Sequence, residues 1–422
     1  MIRHIFKLVW NRKRSTGLIT VEILISFLVL CTILAAGAQY LSLWQRPLGF
    51  EYKNVWTVEI DGMRYRAEEA EMAFNRQSMA DLIRAVDAMP EVEAVAVATN
   101  QPYSHSSWMT TTWMHGKREG MQYTMTSVGQ KDVFGIEVLN GRWLNETDVP
   151  GDRIPVVITQ NLARGHFGLD DPIGKELPRF TDEGEPEPPK APGEGSIDGE
   201  DEDEEEIYRV VGVVKDFRRW GELGGREAYM LYVPIDFEAA EEIPERMSLR
   251  VQPGTTAEFE ERLVRTMQNI VPQWTYETTL LEDKRSDMLM DNIMPLLTMA
   301  VVAMFLIIMV GLGLVGVLWL SVSRRTSELG LRRAMGASGV SVRSQVVGEL
   351  WALTALAVLV GTVLFLQLPL FGVDLGIGAS WFGYITGVVA ATVVLYAFVT
   401  FCGLYPAWLA TRVQPATALQ YE

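Results

Sequence analysis

Cysteine is scarce in this sequence, with two residues among 422. Both of them, Cys31 and Cys402, lie inside apolar stretches. A cysteine in such a setting usually packs as a small hydrophobic side chain. A disulfide framework and a cysteine metal site are therefore not expected.

The sequence also lacks the motifs of common catalytic and nucleotide-binding sites. It contains no G-x-x-x-x-G-K-[ST] run, so it has no P-loop to cradle a nucleotide phosphate. Its four histidines have neither HExxH nor paired-ligand spacing, and none lies in a G-x-S-x-G stretch. We expect no catalytic residue, no metal ligand and no cofactor bound by this chain, and hence no enzyme activity of its own.

Basic residues are depleted in the middle of the chain. Positions 1–44 and 292–422 contain 11 of the 37 Lys and Arg residues and 5 of the 53 Asp and Glu residues. Positions 45–291 therefore contain 26 basic and 48 acidic residues, a net charge of −22. Phosphate binding needs a basic surface, so nucleic acid is not an expected partner.

Apolar residues are concentrated at the two ends of the chain, with a polar segment between them. A helix needs about 20 apolar residues to cross a hydrocarbon core of about 30 Å. Four windows meet this requirement, at 17–43, 292–321, 346–370 and 381–405. With the amphipathic run before it, the second window is long enough to continue out of the membrane as a stalk.

Lysine and arginine in short flanking loops indicate the side of the membrane that each end occupies. Five basic residues precede the first span and five arginines lie between the second and third, whereas the 371–380 loop has none. Both termini (1–16 and 406–422) and the 322–345 loop are therefore predicted in the cytoplasm. Positions 44–291 are predicted outside it, with the chain in the cell inner membrane.

Three features inside the spans bear on this assignment. The basic start, the apolar run and the Ala-Gly-Ala triplet at 36–38 also suit a cleavable signal peptide, although the run exceeds the usual length of roughly 7–15 residues. Glu22 is expected to extend its carboxylate to the membrane surface rather than to face another helix. Gly383 and Gly387 form a GxxxG pair, which predicts close approach of another helix.

The polar segment has the pattern of an α+β domain. A strand, a helix and a strand follow one another twice, at 54–60, 72–86 and 92–99 and again at 247–251, 256–270 and 275–280. These two β-α-β elements are predicted to pair into one sheet covered by two helices. Positions 104–240 then form an inserted, mostly β subdomain. Its clearest elements are strands at 154–159 and 208–214 and a short helix at 160–167.

An acidic stretch at 182–206 lies within this insert. It holds 13 acidic residues, one lysine and four prolines in 25 positions. Burial of the few apolar side chains in this stretch cannot offset the conformational entropy that the chain would lose on folding. The composition therefore predicts a solvated, disordered loop. A calcium loop is the alternative, but the glycine of DGEDED at 198–203 is misplaced for the EF-hand pattern.

The loop between the second and third spans has the sequence SVSRRTSELGLRRAMGAS at 321–338. Glu328 and Arg332 stand four residues apart in the favourable order, and Gly336 is placed to end a helix. This pattern predicts a short cytoplasmic helix at the membrane surface. The arginines also suit a simple loop that binds anionic lipid headgroups.

This loop resembles the cytoplasmic signature of ABC transporter permeases of the MacB, FtsX and LolC-LolE type. The stretches DPIGK at 171–175 and VVGVVKDF at 210–217 are similar to segments of the MacB-like periplasmic core domain. The tail YPAWLATRVQPATALQYE at 405–422 is similar to the usual ending of the family. With the order of one span, a domain and three spans, the resemblance covers nearly the whole chain.

The resemblance implies an α+β membrane protein with four transmembrane helices, one N-terminal and three C-terminal. A large α+β extracytoplasmic domain lies between spans one and two. Such a permease couples a separate ABC ATPase to motion of this domain, a mode termed mechanotransmission, and ATP is bound by the partner subunit. The residues implied to contact the ATPase are Arg325, Glu328, Gly330, Leu331, Arg332, Arg333, Met335 and Gly336.

Further partners follow from the resemblance. A second permease copy or a paralogue is expected to complete a dimer, surrounded by membrane lipids. The expected output is export, which would add a periplasmic adaptor and an outer-membrane channel. The alternatives are a FtsX-like regulator of a cell-wall hydrolase, a lipoprotein-extracting permease, and a membrane-anchored sensor without an ATPase.

Overall fold

A computed structural model describes residues 13–63, 68–105, 109–114, 117–148, 153–177, 207–224, 229–238, 240, 242–324, 335, 338–372 and 380–410. These residues form eight helices and eleven strands. In chain order they are α1 (Lys13–Trp44), β1 (Val55–Asp61), α2 (Glu69–Asp87), β2 (Val92–Val97), β3 (Met109–Met114), β4 (Lys117–Thr126), α3 (Gln130–Phe134), β5 (Val138–Gly141), β6 (Arg153–Thr159), α4 (Gln160–Phe167), β7 (Glu176–Leu177), β8 (Ile207–Val214), β9 (Tyr229–Pro234), β10 (Arg246–Val251), α5 (Ala257–Ile270), β11 (Thr275–Leu280), α6 (Leu281–Arg324), α7 (Gly339–Leu370) and α8 (Trp381–Ala410).

The described residues divide into two compact units, each with its own core. The membrane unit comprises the described residues up to Gln45 and from Asn292 onward, and the middle domain is Arg46–Asp291. Within the described part, α1, α6, α7 and α8 are the four helices long and apolar enough to cross a membrane. The predicted class, an α+β protein with one N-terminal and three C-terminal membrane helices, is thus confirmed.

The membrane helices are longer than the apolar windows that predicted them. The third window begins at 346, but α7 begins at Gly339, where the hydroxyl of Ser338 accepts a hydrogen bond from the Ser341 amide at 3.3 Å. Such an N-cap starts a helix independently of hydropathy. Polar residues at helix ends therefore continue the helix beyond the apolar part.

In the membrane unit, α1 packs against both α7 and α8. Ile23, Phe27 and Cys31 of α1 are fully buried in the shared core. Gly387 of α8 brings the two backbones together, because a Cβ atom there would lie 2.8 Å from the carbonyl oxygen of Cys31. Small residues permit such close approach between membrane helices.

Substituting Gly387 with alanine is expected to destabilise the membrane unit by about 1–3 kcal/mol, the usual cost of overpacking. The added methyl would also lie 2.7 Å from the Cβ of Ala35, and neither neighbour can rotate away. Gly316→Ala is the control, since no atom lies within 4 Å of its Cβ position. Thermal unfolding of the full chain in detergent measures both, and equal midpoints would contradict the close contact.

Glu22 differs from its expected position. Its Oε2 lies 3.3 Å from the point where a Cβ on Gly313 of α6 would stand. The carboxylate of Glu22 therefore faces the neighbouring helix, which the sequence analysis had ranked below extension to the membrane surface. The absence of a side chain at Gly313 provides the space.

The ends of the middle domain form a four-stranded lobe, made of β1, β2, β10 and β11 with α2 and α5. Its sheet has the order β11-β1-β10-β2, with every neighbouring pair antiparallel. Trp56, Val58 and Ile60 of β1 alternate onto the face that α2 and α5 cover. Met79 and Leu82 of α2 are fully buried in the same core.

The centre of the middle domain forms a seven-stranded lobe, made of β3 to β9 with α3 and α4. Its sheet is mixed, with the order β3-β4-β9-β6-β8-β5 and β7 paired to β8. Along β9, Met230 and Tyr232 face one side, while Leu231 and Val233 face the other. Both sides of this sheet are therefore buried, as a continuous apolar strand requires.

A third cluster, the junction core, joins the two lobes. It contains Val55 and Ala96 from the four-stranded lobe and Val157 and Tyr232 from the seven-stranded lobe. Phe50, Tyr103, Phe134 and Phe217 fill its centre as an aromatic group, and the Phe50 and Phe217 rings stack with centroids 4.7 Å apart. The two lobes therefore share apolar contacts rather than being joined only by the chain.

The strands and helices fall close to the predicted positions. The predicted strand 92–99 ends at Val97, and the predicted helix 256–270 begins at Ala257. The 1–12 segment, the acidic 182–206 stretch, positions 373–379 and the 411–422 tail lie outside the described residues, as does most of the coupling loop. The predictions for those segments stay predictions.

Candidate functional site

The predicted ATPase-contacting residues fall almost entirely outside the described residues. Met335 is the exception, and 74% of its surface is exposed. Arg325, Glu328, Gly330, Leu331, Arg332, Arg333 and Gly336 lie in the stretches that the structure does not describe. Of the predicted packing pair, Gly383 is buried, and Gly387 lies against Cys31 and Ala35.

The structure draws attention instead to the base of α6, the helix that continues into the second membrane span. Its 44 residues correspond to about 66 Å, roughly twice the hydrocarbon thickness of a membrane. Leu281 and Met288, seven residues apart on one face, are buried in the junction core. The first two turns of α6 are therefore part of the middle domain.

Lys284 ties this helix base to the four-stranded lobe. Its Nζ donates to Oε1 of Glu59 on β1 at 2.7 Å, and Arg246 of β10 lies 3.9 Å from the same oxygen. Burial raises the pKa of the Glu59 carboxyl, but the Lys284 hydrogen bond and the two positive charges outweigh it, so the pKa is lowered. The ion pair therefore stabilises the folded domain at pH values above the ordinary glutamate pKa. This stabilisation is lost as the pH falls through the lowered pKa of Glu59.

Arg285 ties the same turn to the seven-stranded lobe. Its Nε donates to Oε1 of Glu222, in the loop after β8, at 2.5 Å. The side chain of Glu222 is only 8% exposed and that of Arg285 22%. The Arg285 guanidinium also lies 4.7 Å from the ring centroid of Tyr52, and Tyr103 donates to the other Glu222 oxygen at 3.5 Å.

The loop that presents Glu222 is itself held by two buried arginines. Arg218 donates from Nη2 to the backbone carbonyl of Glu222 at 2.6 Å and from Nη1 to that of Arg46 at 3.4 Å. Arg219 donates to three acceptors, the carbonyls of Gln101 and Ser104 and the side chain of Gln122. This segment directly follows the VVGVVKDF stretch that the sequence analysis selected.

Adjacent residues at the start of one membrane helix are thus paired with a carboxylate in each lobe. We call Glu59, Glu222, Lys284 and Arg285 the helix clamp. A displacement of the helix base cannot leave either lobe unaffected, because both charge pairs and the junction core would have to move with it. Among the described residues no group of three His, Cys, Asp or Glu side chains could hold a metal ion.

Comparison with known families agrees with this architecture. A model of the MacB-like periplasmic core domain matches residues 16–266, and a model of the FtsX-like permease C-terminal domain matches residues 300–415. This chain belongs to the MacB/FtsX family of ABC transporter permeases. Family membership agrees with a multi-pass protein of the inner membrane whose middle domain is periplasmic in type.

Relatives of this MacB/FtsX-type permease are named as macrolide export ATP-binding/permease proteins MacB. The protein from Bdellovibrio bacteriovorus is 25% identical over 303 residues, covering 67% of this chain and 41% of the relative. That from Neisseria meningitidis is 24% identical over 323 residues, covering 71% and 44%. The chain thus spans less than half of the length of these relatives.

Solved structures of periplasmic regions are also similar. The periplasmic region of MacB from Actinobacillus actinomycetemcomitans matches at 13% identity with a TM-score of 0.36, covering 58% of this chain and 97% of that one. The extracellular domain of the transporter YknZ from Gram-positive bacteria matches at 15% identity with a TM-score of 0.32, covering 52% and 99%.

Proposed function

We propose that this chain is the membrane subunit of an export system driven by a separate ABC ATPase. The ATPase would bind the cytoplasmic loop around Glu328 to Gly336 and bind ATP in place of this chain. Its cycle would displace α6, and the helix clamp would convert that displacement into motion of the middle domain. Two copies, or one copy and a paralogue, would form the working dimer.

The continuity of α6 is the observation that carries this proposal. The helix begins at Leu281 in the junction core and ends at Arg324, directly before the predicted ATPase-contacting loop. A helix transmits axial displacement well because each turn is held by its own backbone hydrogen bonds. Export is the output we propose because the relatives are named for macrolide export.

Reversing the charge of Arg332 and Arg333 together is expected to lower recovery of an ATPase with the chain by at least about tenfold. Like charges brought together at an interface cost several kcal/mol. A tenfold loss of affinity requires only about 1.4 kcal/mol. The tagged full chain is purified in mild detergent from its native membrane, and co-purifying proteins are identified by mass spectrometry. Arg324→Glu/Arg343→Glu is the matched control, because it reverses two charges at the flanks of the same loop.

Three outcomes discriminate among the candidate functions. An ATPase that accompanies the natural chain and the control, but not the Arg332→Glu/Arg333→Glu variant, supports the proposal. Equal recovery with both variants would show that the loop is not the contact. No ATPase in any mild detergent would favour a membrane-anchored sensor, and a cell-wall hydrolase in the eluate would favour a FtsX-like regulator.

A further inference from the structure

Asn140 and Gly141 form the one Asn-Gly pair in the sequence. They end β5, which lies at an edge of the seven-stranded sheet and pairs with β8. Both residues are exposed to solvent. The pair touches the two stretches that the sequence analysis selected in this lobe. Gly141 pairs with Gly212 of VVGVVKDF, and Asn140 contacts Asp171 of DPIGK.

The fold requires a glycine at position 141. Its φ of 71° lies in the left-handed region, which favours glycine. A Cβ atom at this position would stand 2.3 Å from the carbonyl oxygen of Val211 and 2.8 Å from Cδ1 of Ile173. The residue that follows Asn140 therefore has no side chain to hinder access to its own amide nitrogen.

The amide nitrogen of Gly141 lies against the side chain of Asn140. It donates to Oδ1 of Asn140 at 2.9 Å, so the nitrogen and the carbonyl group of the side-chain amide are already in contact. Reacting atoms held about 3–3.5 Å apart need little further movement to form a bond. A rotation of the side-chain amide about χ2 would present its carbon, Cγ, to the nitrogen.

Asp171 contacts the other end of the same amide. Its Oδ1 accepts a hydrogen bond from Nδ2 of Asn140 at 3.1 Å and another from the backbone amide of Ile173 at 3.1 Å. Among the described residues no lysine or arginine forms an ion pair with Asp171, whereas Lys175 pairs with Asp170. The neutral amide of Asn140 thus links the 171–175 turn to the edge of the sheet.

We propose that Asn140 is a site of spontaneous deamidation in the folded protein. The Gly141 nitrogen attacks Cγ of Asn140, the new N–Cγ bond replaces the Cγ–Nδ2 bond, and Nδ2 leaves as ammonia with the proton of the Gly141 amide. The product is a five-membered cyclic imide. Solvent water then adds to one of its two carbonyl carbons. Attack at Cγ gives aspartate, and attack at the backbone carbonyl gives isoaspartate.

Deamidation would disrupt the contact between β5 and the 171–175 turn. A carboxylate at position 140 has no proton to donate, and it would replace an atom that lies 3.1 Å from Oδ1 of Asp171. Like charges that face each other across a short distance are destabilising. Isoaspartate would also add one carbon to the main chain where β5 pairs with β8. The reaction needs only water, so it is independent of the function proposed above.

The test follows Asn140 in the full chain, purified in detergent and kept at physiological temperature and mildly alkaline pH. Trypsin releases positions 132–142, in which Asn140 is the one amide side chain, and positions 143–153, in which Asn145 is the one amide side chain. Mass spectrometry detects the replacement of NH2 by OH in each peptide, and chromatography separates aspartate from isoaspartate. A sample digested at the start corrects for conversion during digestion.

Asn145 is the internal control, because it is exposed and lies in the same lobe. Its Oδ1 accepts from the backbone amide and the hydroxyl of Thr147, and the residue that follows it, Glu146, has a side chain. We expect conversion of Asn140 to be at least about tenfold faster than that of Asn145, since a misplacement of reacting atoms costs a factor of this size or more. Both aspartate and isoaspartate should form at Asn140.

Variants test the consequence at the 171–175 turn. Asn140→Asp imitates the product, and hydrogen exchange of the segment around Ile173 should become about threefold faster than in the natural chain. Asn140→Asp/Asp171→Asn exchanges the donor and the acceptor, so the exchange rate should return close to the natural value. Asn145→Asp adds the same charge without facing Asp171, and should leave exchange around Ile173 unchanged.

Three results would overturn the proposal. Conversion of Asn140 no faster than that of Asn145 would show that the Gly141 nitrogen does not attack in the folded chain. Aspartate without isoaspartate would show direct hydrolysis rather than a cyclic imide. Equal exchange around Ile173 in the natural chain and in Asn140→Asp would show that the contact does not hold the turn. Each result can arise while the ATPase still co-purifies with the chain, so this proposal and the proposed function fail separately.

Discussion

Replacing Arg285 with methionine is expected to lower the free energy of unfolding of the middle domain by about 3–5 kcal/mol, the usual cost of breaking a buried ion pair from one side. The change leaves the Glu222 carboxylate, only 8% exposed, without its charged partner. For a domain of this size the melting midpoint should fall by roughly 10 °C. Scanning calorimetry of the full chain in detergent measures the shift.

Arg265→Met provides the matched control. Arg265 pairs with Glu261 at 2.5 Å on the surface of α5, and the two side chains are 69% and 72% exposed. Exposed pairs contribute about 0–1 kcal/mol, so this variant should melt close to the natural protein. Equal effects of Arg285→Met and Arg265→Met would show that the helix clamp contributes no more than a surface contact.

A double-mutant cycle separates stability from transmission. Arg285→Met combined with Glu222→Leu removes both charges and should recover part of the lost stability, because no buried charge is then left unpaired. The double variant still lacks the bond between α6 and the seven-stranded lobe. We therefore expect it to fold but to show weaker stimulation of substrate export by ATP, assayed with the purified ATPase in proteoliposomes. Export equal to that of the natural chain would contradict a role of this pair in transmission.

Replacing Arg219 with methionine is expected to cost about 3 kcal/mol or more. The guanidinium donates at 3.1 Å to the carbonyl of Gln101, at 2.8 Å to that of Ser104 and at 2.7 Å to Oε1 of Gln122. Arg219 is only 1% exposed, so these acceptors would lose their donor inside the protein. Each buried polar group left unpaired costs about 1–3 kcal/mol.

The charge of Arg219 is itself costly to bury. Burial, with a smaller contribution from the nearby Arg246, lowers the pKa of Arg219 to about 10. The three hydrogen bonds offset that cost. Two of them hold the segment between β2 and β3, and the third reaches Gln122 on β4. Arg219→Lys should restore only part of the stability, because an ammonium cannot reach three acceptors arranged for a planar guanidinium.

Arg209→Met tests whether the Arg219 effect is specific. Arg209 lies on β8 with an exposed side chain, and an exposed substitution is expected to change stability by less than about 0.5 kcal/mol. Urea unfolding followed by tryptophan fluorescence compares the two variants. Similar midpoints for Arg219→Met and Arg209→Met would show that the buried guanidinium is dispensable.

The four-stranded lobe was predictable because each of its elements has a strong local pattern. Alternation along β1 and the helical spacing of Met72, Met79 and Leu82 in α2 are visible in the sequence without any knowledge of contacts. The strand order in the seven-stranded lobe could not be predicted, because β4 and β9 pair in parallel although about a hundred residues separate them in the sequence. Pairing at that distance leaves no mark on local periodicity.

The helix clamp could not be predicted for the same reason. Lys284 and Arg285 are visible as a basic pair between a strand and an apolar helix, but their partners lie 225 and 63 residues away. A charge pattern identifies such residues as candidates for ion pairs without naming the carboxylate. The GxxxG pattern, by contrast, identified Gly387 correctly. A glycine permits a close helix contact because it has no side chain, whatever residue lies opposite.

The sheet order of the four-stranded lobe also governs the sequence of events during biosynthesis. β1 is hydrogen-bonded to β10 on one side and β11 on the other, yet both partners are synthesised only after the whole seven-stranded lobe. The inserted lobe can fold before positions 246–280 are synthesised, whereas β1 must wait with both of its edges unpaired. An unpaired apolar strand is an aggregation hazard. A chain whose positions 246–280 have not yet been synthesised should therefore aggregate more readily than the complete middle domain.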